Sequence, residues 1–333
     1  MNEITTLAID LAKNVFQVHG VDAGGHALLR KQLRRTELQR LLISVPSCKV
    51  AMEACGSAHY WARVAARAGH QVHLIPPQYV KAFNRGQKND RNDAQAIADA
   101  SRIPDMARVA VKSEEQQAIL ALHRLRERVV KERTAIGNQL QSVLGEFGLL
   151  IPRARTKMGP ALAAVLDGEQ LPALLRPAIR GHWEHLLEIE QRLKQLTTQI
   201  ERLAQLSVPC QRLMQRPGVG PIVATAFAAE VADAATFRNG RQVAAWLGLV
   251  PRQYSSGATH RLLGITKRGN QYLRRLLIHG ARSAMQAAHR HPERPLYRWG
   301  LEVRARRGAN RANVAFANKM ARHLWASLRY ETA

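Results

Sequence analysis

In the stretch KNDRNDAQAIADA, residues 88–100, two acids stand three positions apart, Asp90 and Asp93, where the sequence predicts a helix. That spacing puts both carboxylates on one helix face, where like charges repel unless a cation lies between them. Two further acids close short apolar runs: Asp10 ends ITTLAID (4–10), and Glu53 lies in CKVAMEACG (48–56). Brought together, these four form an oxygen-only donor set suited to a hard cation, Mg²⁺ or Mn²⁺. Two such ions on a scissile phosphate are a standard means of promoting in-line displacement at phosphorus. Each acid alone also has a plainer reading: Asp10 ends a strand, Asp90 caps a helix and Asp93 complements its dipole. The case for chemistry rests on all four meeting in one topology.

That topology follows from the elements that must carry them. ITTLAID, NVFQVHGV (14–21) and HALLRKQL (26–33) are strand-like runs separated by turn residues, an antiparallel meander. Thr36 opens a helix, with Gln39 completing a capping box and Leu38, Leu41, Leu42 and Val45 on one face. A strand ending at Glu53, a helix at 57–69 stopped by Gly69, and a strand at 70–76 follow. The helix of Asp90 and Asp93 closes a βββαβαβα unit. In it the first, fourth and fifth strands are expected to lie parallel and adjacent. Asp10 and Glu53 then emerge side by side at the strand ends where α/β sheets place their sites.

The rest of the chain is built to attract anions. Its 50 Lys+Arg against 25 Asp+Glu give a net charge of +25. Residues 1–110 hold 15 basic and 9 acidic residues, 111–208 hold 14 and 11, and 209–333 hold 21 and 5. A polyanion is the implied partner, nucleic acid first, and the last third is the first candidate for backbone contact. No apolar run of about 18 residues exists to span a membrane. The N-terminal MNEITTLAID lacks a signal-peptide layout. Cys48, Cys55 and Cys210 form no zinc-like or paired spacing and read as reduced, packed thiols. A cytoplasmic protein is expected.

Three domains are expected: 1–110, α/β and catalytic; 111–208, helical; and 209–333, mainly helical. In the second, Leu122, Leu125, Val129, Ile136, Leu140, Val143 and Phe147 keep a seven-residue rhythm. Leu186, Ile189, Leu193, Leu196, Ile200 and Leu203 keep it more strictly. Sustained heptads imply a coiled coil, here two arms joined by a Pro- and Gly-bearing connection at 151–181. We read it as a dimerising element in preference to a bundle within one chain. The third domain opens with QRPGVGPIVATAFAAEV (215–231), the form of a helix-hairpin-helix, whose glycines let backbone N–H groups approach a phosphate. A tight interhelical turn is the plainer alternative.

AIDLAKNVFQVHG, AMEACGSAHYW and KNDRNDAQAIA together resemble the Asp-Glu-Asp-Asp (DEDD) motifs of the insertion-sequence-110 transposases, the group that includes Piv-type DNA invertases. GLVPRQYSSGATHRLLGITKRGNQYLRRLLIHGA (248–281) is similar to that family's second hallmark block, so the resemblance spans nearly the whole chain. It implies a RuvC-like (ribonuclease-H-like) domain at 1–110, a coiled-coil insert, and a C-terminal transposase domain. It further implies a DEDD metal site at Asp10, Glu53, Asp90 and Asp93, and donor and target DNA as substrates. A structured bridge RNA would act as guide, with a homodimer or dimer of dimers as the working form. Ser256, directly before Gly257, matches the family's serine nucleophile, with Ser255 the rival. Lys267, Arg268, Arg274 and Arg275 lie downstream to balance phosphate charge. Attack by Ser256 on phosphorus forms a phosphoserine link that preserves bond energy for strand exchange. Two other readings stand beside it: a metal-dependent nuclease of the junction-resolvase kind, and a non-catalytic nucleic-acid scaffold.

Overall fold

The computed structural model describes residues 3–84, 90–257 and 259–330. The chain divides into two compact units, one of Met1–Gln116 with Val231–Arg238, the other of Gln117–Glu230 with Asn239–Ala333.

In the first unit, β1 (Thr6–Asp10), β2 (Val15–Val21) and β3 (Ala27–Arg34) form the meander, followed by α1 (Arg35–Ser44), β4 (Lys49–Glu53), α2 (Ala58–Arg67) and β5 (Gln71–Ile75). A short helix, α3 (Pro77–Val80), and a 3₁₀ turn at Lys81–Phe83 precede α4 (Asp90–Ser101). The sheet order is β3-β2-β1-β4-β5, with β1, β4 and β5 parallel and the meander antiparallel.

Strand alternation assigns each residue a face. Leu7, Ile9, Val50, Met52 and Leu74 pack under α1 and α2 with Leu38, Leu42 and Trp61. Phe16 meets Trp61 edge to face, centroids 5.0 Å apart. The other face offers Ala8, Ala51 and Ile75 to Ala96, Ile97 and Ala100 of α4. Alanine against alanine leaves little side-chain bulk between α4 and the sheet. The capping expected from Thr36 and Gln39 is corrected: β3 runs straight into α1, so the third helical residue is Glu37, whose carboxylate accepts from the Arg34 N–H at 2.6 Å.

The second unit is mainly helical: α5 (Glu114–Gly145, entering from the first unit), α6 (Arg155–Asp167), α7 (Arg176–Leu206), α8 (Val208–Met214), α9 (Pro221–Val231) and α10 (Gly240–Trp246). An antiparallel hairpin of β6 (Pro251–Ser256) and β7 (Thr259–Ile265) follows, then α11 (Gln271–Ala287), α12 (Pro295–Arg307) and α13 (Ala309–Tyr330). The heptads are put to a different use from the one expected. Leu186, Ile189 and Leu193 of α7 share one core with Val129, Ile136 and Leu140 of α5, and Ile200 is fully buried. The connection between the arms is itself partly helical, and Met158 and Leu162 of α6 close that core. The stripe is therefore covered within one chain and is not an open dimer seam. The weaker rhythm leaves Leu125 of α5 exposed, and Phe147, in the turn that follows the helix, is exposed as well. No helix of the described residues is long and apolar enough to cross a membrane.

Candidate active site

Asp10 and Glu53 end adjacent parallel strands, in register through Ile9–Met52. Both carboxylates press on Cys55 in the turn after β4. Its thiol is held above its ordinary value first by desolvation, then by the negative charge of Glu53 and Asp10. Cys55 is exposed, unlike buried Cys48 and Cys210, which corrects its reading as a packed thiol: the chain turns sharply off the sheet edge there.

Two hydrogen bonds fix how α4 lies on the sheet. Near its start, Asp93 accepts from the Asn84 amide at 2.6 Å; at its end, the Ser101 carbonyl accepts from Lys49, the first residue of β4, at 3.4 Å. The helix thus runs from the C-terminal edge of the parallel strands to their N-terminal edge, and half-buried Asp93 belongs to the edge of Asp10 and Glu53. Asp90 is the first residue of α4; its side chain lies outside the described residues. Among the described residues, no three His, Cys, Asp or Glu side chains close around a single ion position.

Asn84 was not marked out by any spacing in the sequence. A carboxylate can only accept, so the side of the amide facing Asp93 must be its NH₂. The amide oxygen is then buried with no hydrogen-bond partner among the described residues. Leaving a buried acceptor unmet costs about 1–3 kcal/mol, and a cation removes that cost. Asn84, Asp10, Glu53 and Asp93 each offer only oxygen toward a cation, the donor type that Mg²⁺ or Mn²⁺ takes.

The serine block forms an exposed hairpin in the second unit. Ser256 pairs with Thr259 and Ser255 with His260, so the two serines face opposite sides. Ser256 shares its face with Tyr254 and the cation Arg261. Gly257 turns the chain with φ +54. The downstream basic cluster is only half as expected. Lys267 and Arg268 are exposed, but Arg274 is buried and donates to the Leu247 and Arg268 carbonyls at 3.0 and 2.9 Å. Arg275 is paired with Glu127 at 2.7 Å. Arg274 thus holds the hairpin's base against α11 from inside, while Arg275, partly exposed, ties α11 to α5 through Glu127.

The glycine turn at 215–220 joins α8 to α9 as a helix–turn–helix. Gly218 has φ +78, and a Cβ there would strike the Gly280 carbonyl of α11. Close helix approach accounts for this glycine without a phosphate. Gly220 has open space around it.

A buried triad ties α5, α9 and α11 together. Thr225 donates to the Pro221 carbonyl at 2.7 Å, so its hydroxyl accepts from His123 Nε2 at 2.9 Å. His123 Nδ1 is then the acceptor for the Tyr272 hydroxyl, also 2.9 Å away. Desolvation, then the Arg126 charge, lowers the His123 pKa to about 4.

Comparison with known proteins relates the sequence to a lineage. Residues 7–148 match a DEDD-type IS110 profile described as "Transposase", and residues 210–297 match the "Transposase IS116/IS110/IS902 family". A "Probable family 20 transposase" of Pseudomonas aeruginosa is 47% identical over 99% of this chain and 98% of its own length. The "Transposase for insertion sequence element IS1111A" of Coxiella burnetii is 39% identical over 100% and 92%, respectively. The corresponding IS1328 protein of Yersinia enterocolitica is 38% identical over 98% and 97%. These end-to-end similarities and the two matched family profiles together show that the chain belongs to the IS110 family of insertion-sequence transposases.

Proposed function

We propose that this transposase cuts and rejoins DNA through Ser256, with the carboxylates of Asp10, Glu53, Asp90 and Asp93 holding a divalent cation, under the guidance of a structured bridge RNA. The observation that carries the reading is the placement of Asp10 and Glu53 at adjacent ends of β1 and β4 with Asp93 brought to the same edge by α4. Rigid strands and a closely packed helix restrict carboxylate motion, which an ion-binding site needs. When bound, Mg²⁺ or Mn²⁺ polarises a phosphodiester oxygen. Ser256 Oγ bonds to phosphorus as the bond from phosphorus to the deoxyribose oxygen breaks. The serine gives up its proton and the leaving oxygen takes one. One phosphodiester replaces another, so strand exchange needs no external energy source. Exposure of Ser256 beside Arg261 on one hairpin face suits approach to a phosphate. RNA guidance follows from the family resemblance and suits a chain of net charge +25: base pairing then reads sequence while the protein grips backbone. Dimers or dimers of dimers are the proposed working form.

The test traps the full-length protein on a nicked substrate with Mg²⁺. A heat- and detergent-stable adduct on the peptide containing Ser256 is expected, absent in Ser256→Ala and Asp10→Asn while both still bind DNA. An adduct on Ser255 moves the nucleophile to the opposite hairpin face. Normal recombination by Ser256→Ala without any adduct overturns serine catalysis.

A further inference from the structure

The base of the serine hairpin and helices α12 and α13 enclose a groove of about 1030 Å³. Its walls are apolar: Pro251, Leu262, Leu263 and Ile265 from the hairpin, Trp299 from α12 and Val314 from α13. Three cations, Arg311, Lys319 and Arg322, join the lining, and among the described residues no acid does. The Lys319 ammonium stands over the Trp299 ring, 4.2 Å from its centroid. Asn318 anchors one wall by donating to the Leu249 carbonyl at 3.1 Å.

We propose that this groove seats an unpaired base of the DNA strand that the hairpin engages, a reading that rests on the transposase function above. Duplex DNA presents phosphates and groove edges, which call for cations and polar groups rather than aliphatic walls. An apolar slot with an aromatic side and a cationic border matches an unstacked base with its phosphate, the combination by which single strands are gripped. Charge decides against a second copy of the chain as occupant. The segment 209–333 holds 21 basic and 5 acidic residues, so like would meet like. The groove lies at the open end of β6, whose far end carries Ser256. Five strand steps separate Pro251 from Ser256, about 17 Å. A seated base then stands on the order of five stacked nucleotides from the phosphate being attacked.

The test uses the full-length protein without divalent metal and two fluorescent probes, a 20-nucleotide single DNA strand and a blunt duplex of the same sequence. Leu262 is 69% exposed, so Leu262→Glu leaves folding intact while placing an acid in the groove. Leu174→Glu, at a residue 89% exposed and outside the groove, controls for added charge. Single-strand affinity is expected to fall about ten-fold or more in Leu262→Glu relative to the control, with duplex affinity within about two-fold. Trp299→Ala should give the same selective loss. A strand carrying 5-iodouracil should photocrosslink to the peptide containing Trp299. Unchanged single-strand affinity, or equal loss on both probes, overturns the groove assignment and leaves the transposase reading standing. So does a drop in particle mass in Leu262→Glu, which makes the occupant a second copy. An RNA strand that binds at least ten-fold better and crosslinks there instead overturns the DNA assignment. Wild-type protein that binds neither probe overturns both readings.

Discussion

Acid should loosen the second unit by an amount set largely by His123. Its ring is 1% exposed, and its two nitrogens are committed as donor to Thr225 and acceptor from Tyr272. Protonation has to break the Tyr272 bond and leave a cation in a site that already faces Arg126. In the unfolded chain the ring titrates at its ordinary 6.5; in the fold it does so only at about 4. Between those values the unfolded chain takes up a proton that the folded chain refuses. Stability is thus present in full above pH 6.5 and falls as pH drops, by about 1.4 kcal/mol per unit and about 3 kcal/mol in all by pH 4. Urea unfolding from pH 7.5 to 4.5 measures it. Tryptophan fluorescence is the reporter, since Trp183, Trp246, Trp299 and Trp325 lie in this unit and Trp61 in the other. His123→Leu has no proton to gain. It should lose about 1–3 kcal/mol at pH 7.5 for the stranded Tyr272 hydroxyl, and show a flatter pH dependence. Burial, with Arg216 close by, also lowers His323, which keeps some slope in the variant. A His123→Leu protein with the wild-type slope refutes the assignment.

Asn84→Leu removes the donor to Asp93 and the unmet amide oxygen; Mn²⁺ affinity, read by electron paramagnetic resonance without DNA, should weaken about ten-fold or more. Unaltered Mn²⁺ binding removes Asn84 from the metal site. The double change Leu193→Asp and Ile200→Asp puts two charges into a core closed within one chain, each costing several kcal/mol. Its melting temperature should fall sharply with no folded half-mass species in light scattering, whereas clean dissociation into stable folded subunits restores the dimer seam. Gly218→Ala combines φ +78 with a collision at Gly280 and should cost about 3 kcal/mol or more, while Gly220→Ala, in open space, should leave stability within about 1 kcal/mol. If the turn's N–H groups grip a phosphate, Gly220→Ala also weakens duplex binding; equal stability for the two variants contradicts the packing.

What the sequence revealed and what it concealed differ by the range of the interaction. The strand order around β1 and β4 was legible because period-two apolar runs and turn residues are local signals, and parallel strands need a helix between them. That alone put Asp10 and Glu53 on one edge. The direction of α4 was not legible, since it depends on Asn84 and Lys49 meeting residues at opposite ends of one helix. The heptads misled for a related reason. A stripe at 3-4 spacing says that a face is buried, never whose surface buries it, and α6 arises from a segment whose Pro160 and Gly159 read as a connection. Arg274 and Arg275 show the same limit for charge. A basic residue in the serine block is equally suited to a phosphate or to a carbonyl and a carboxylate of its own fold. Composition counts both as anion-seeking, and only packing distinguishes them. The excess charge available to nucleic acid is therefore smaller than the count in 209–333. The exposed remainder near the serine, Arg261, Lys267 and Arg268, with Arg311 in the groove, is where mutation should reduce the salt dependence of DNA binding.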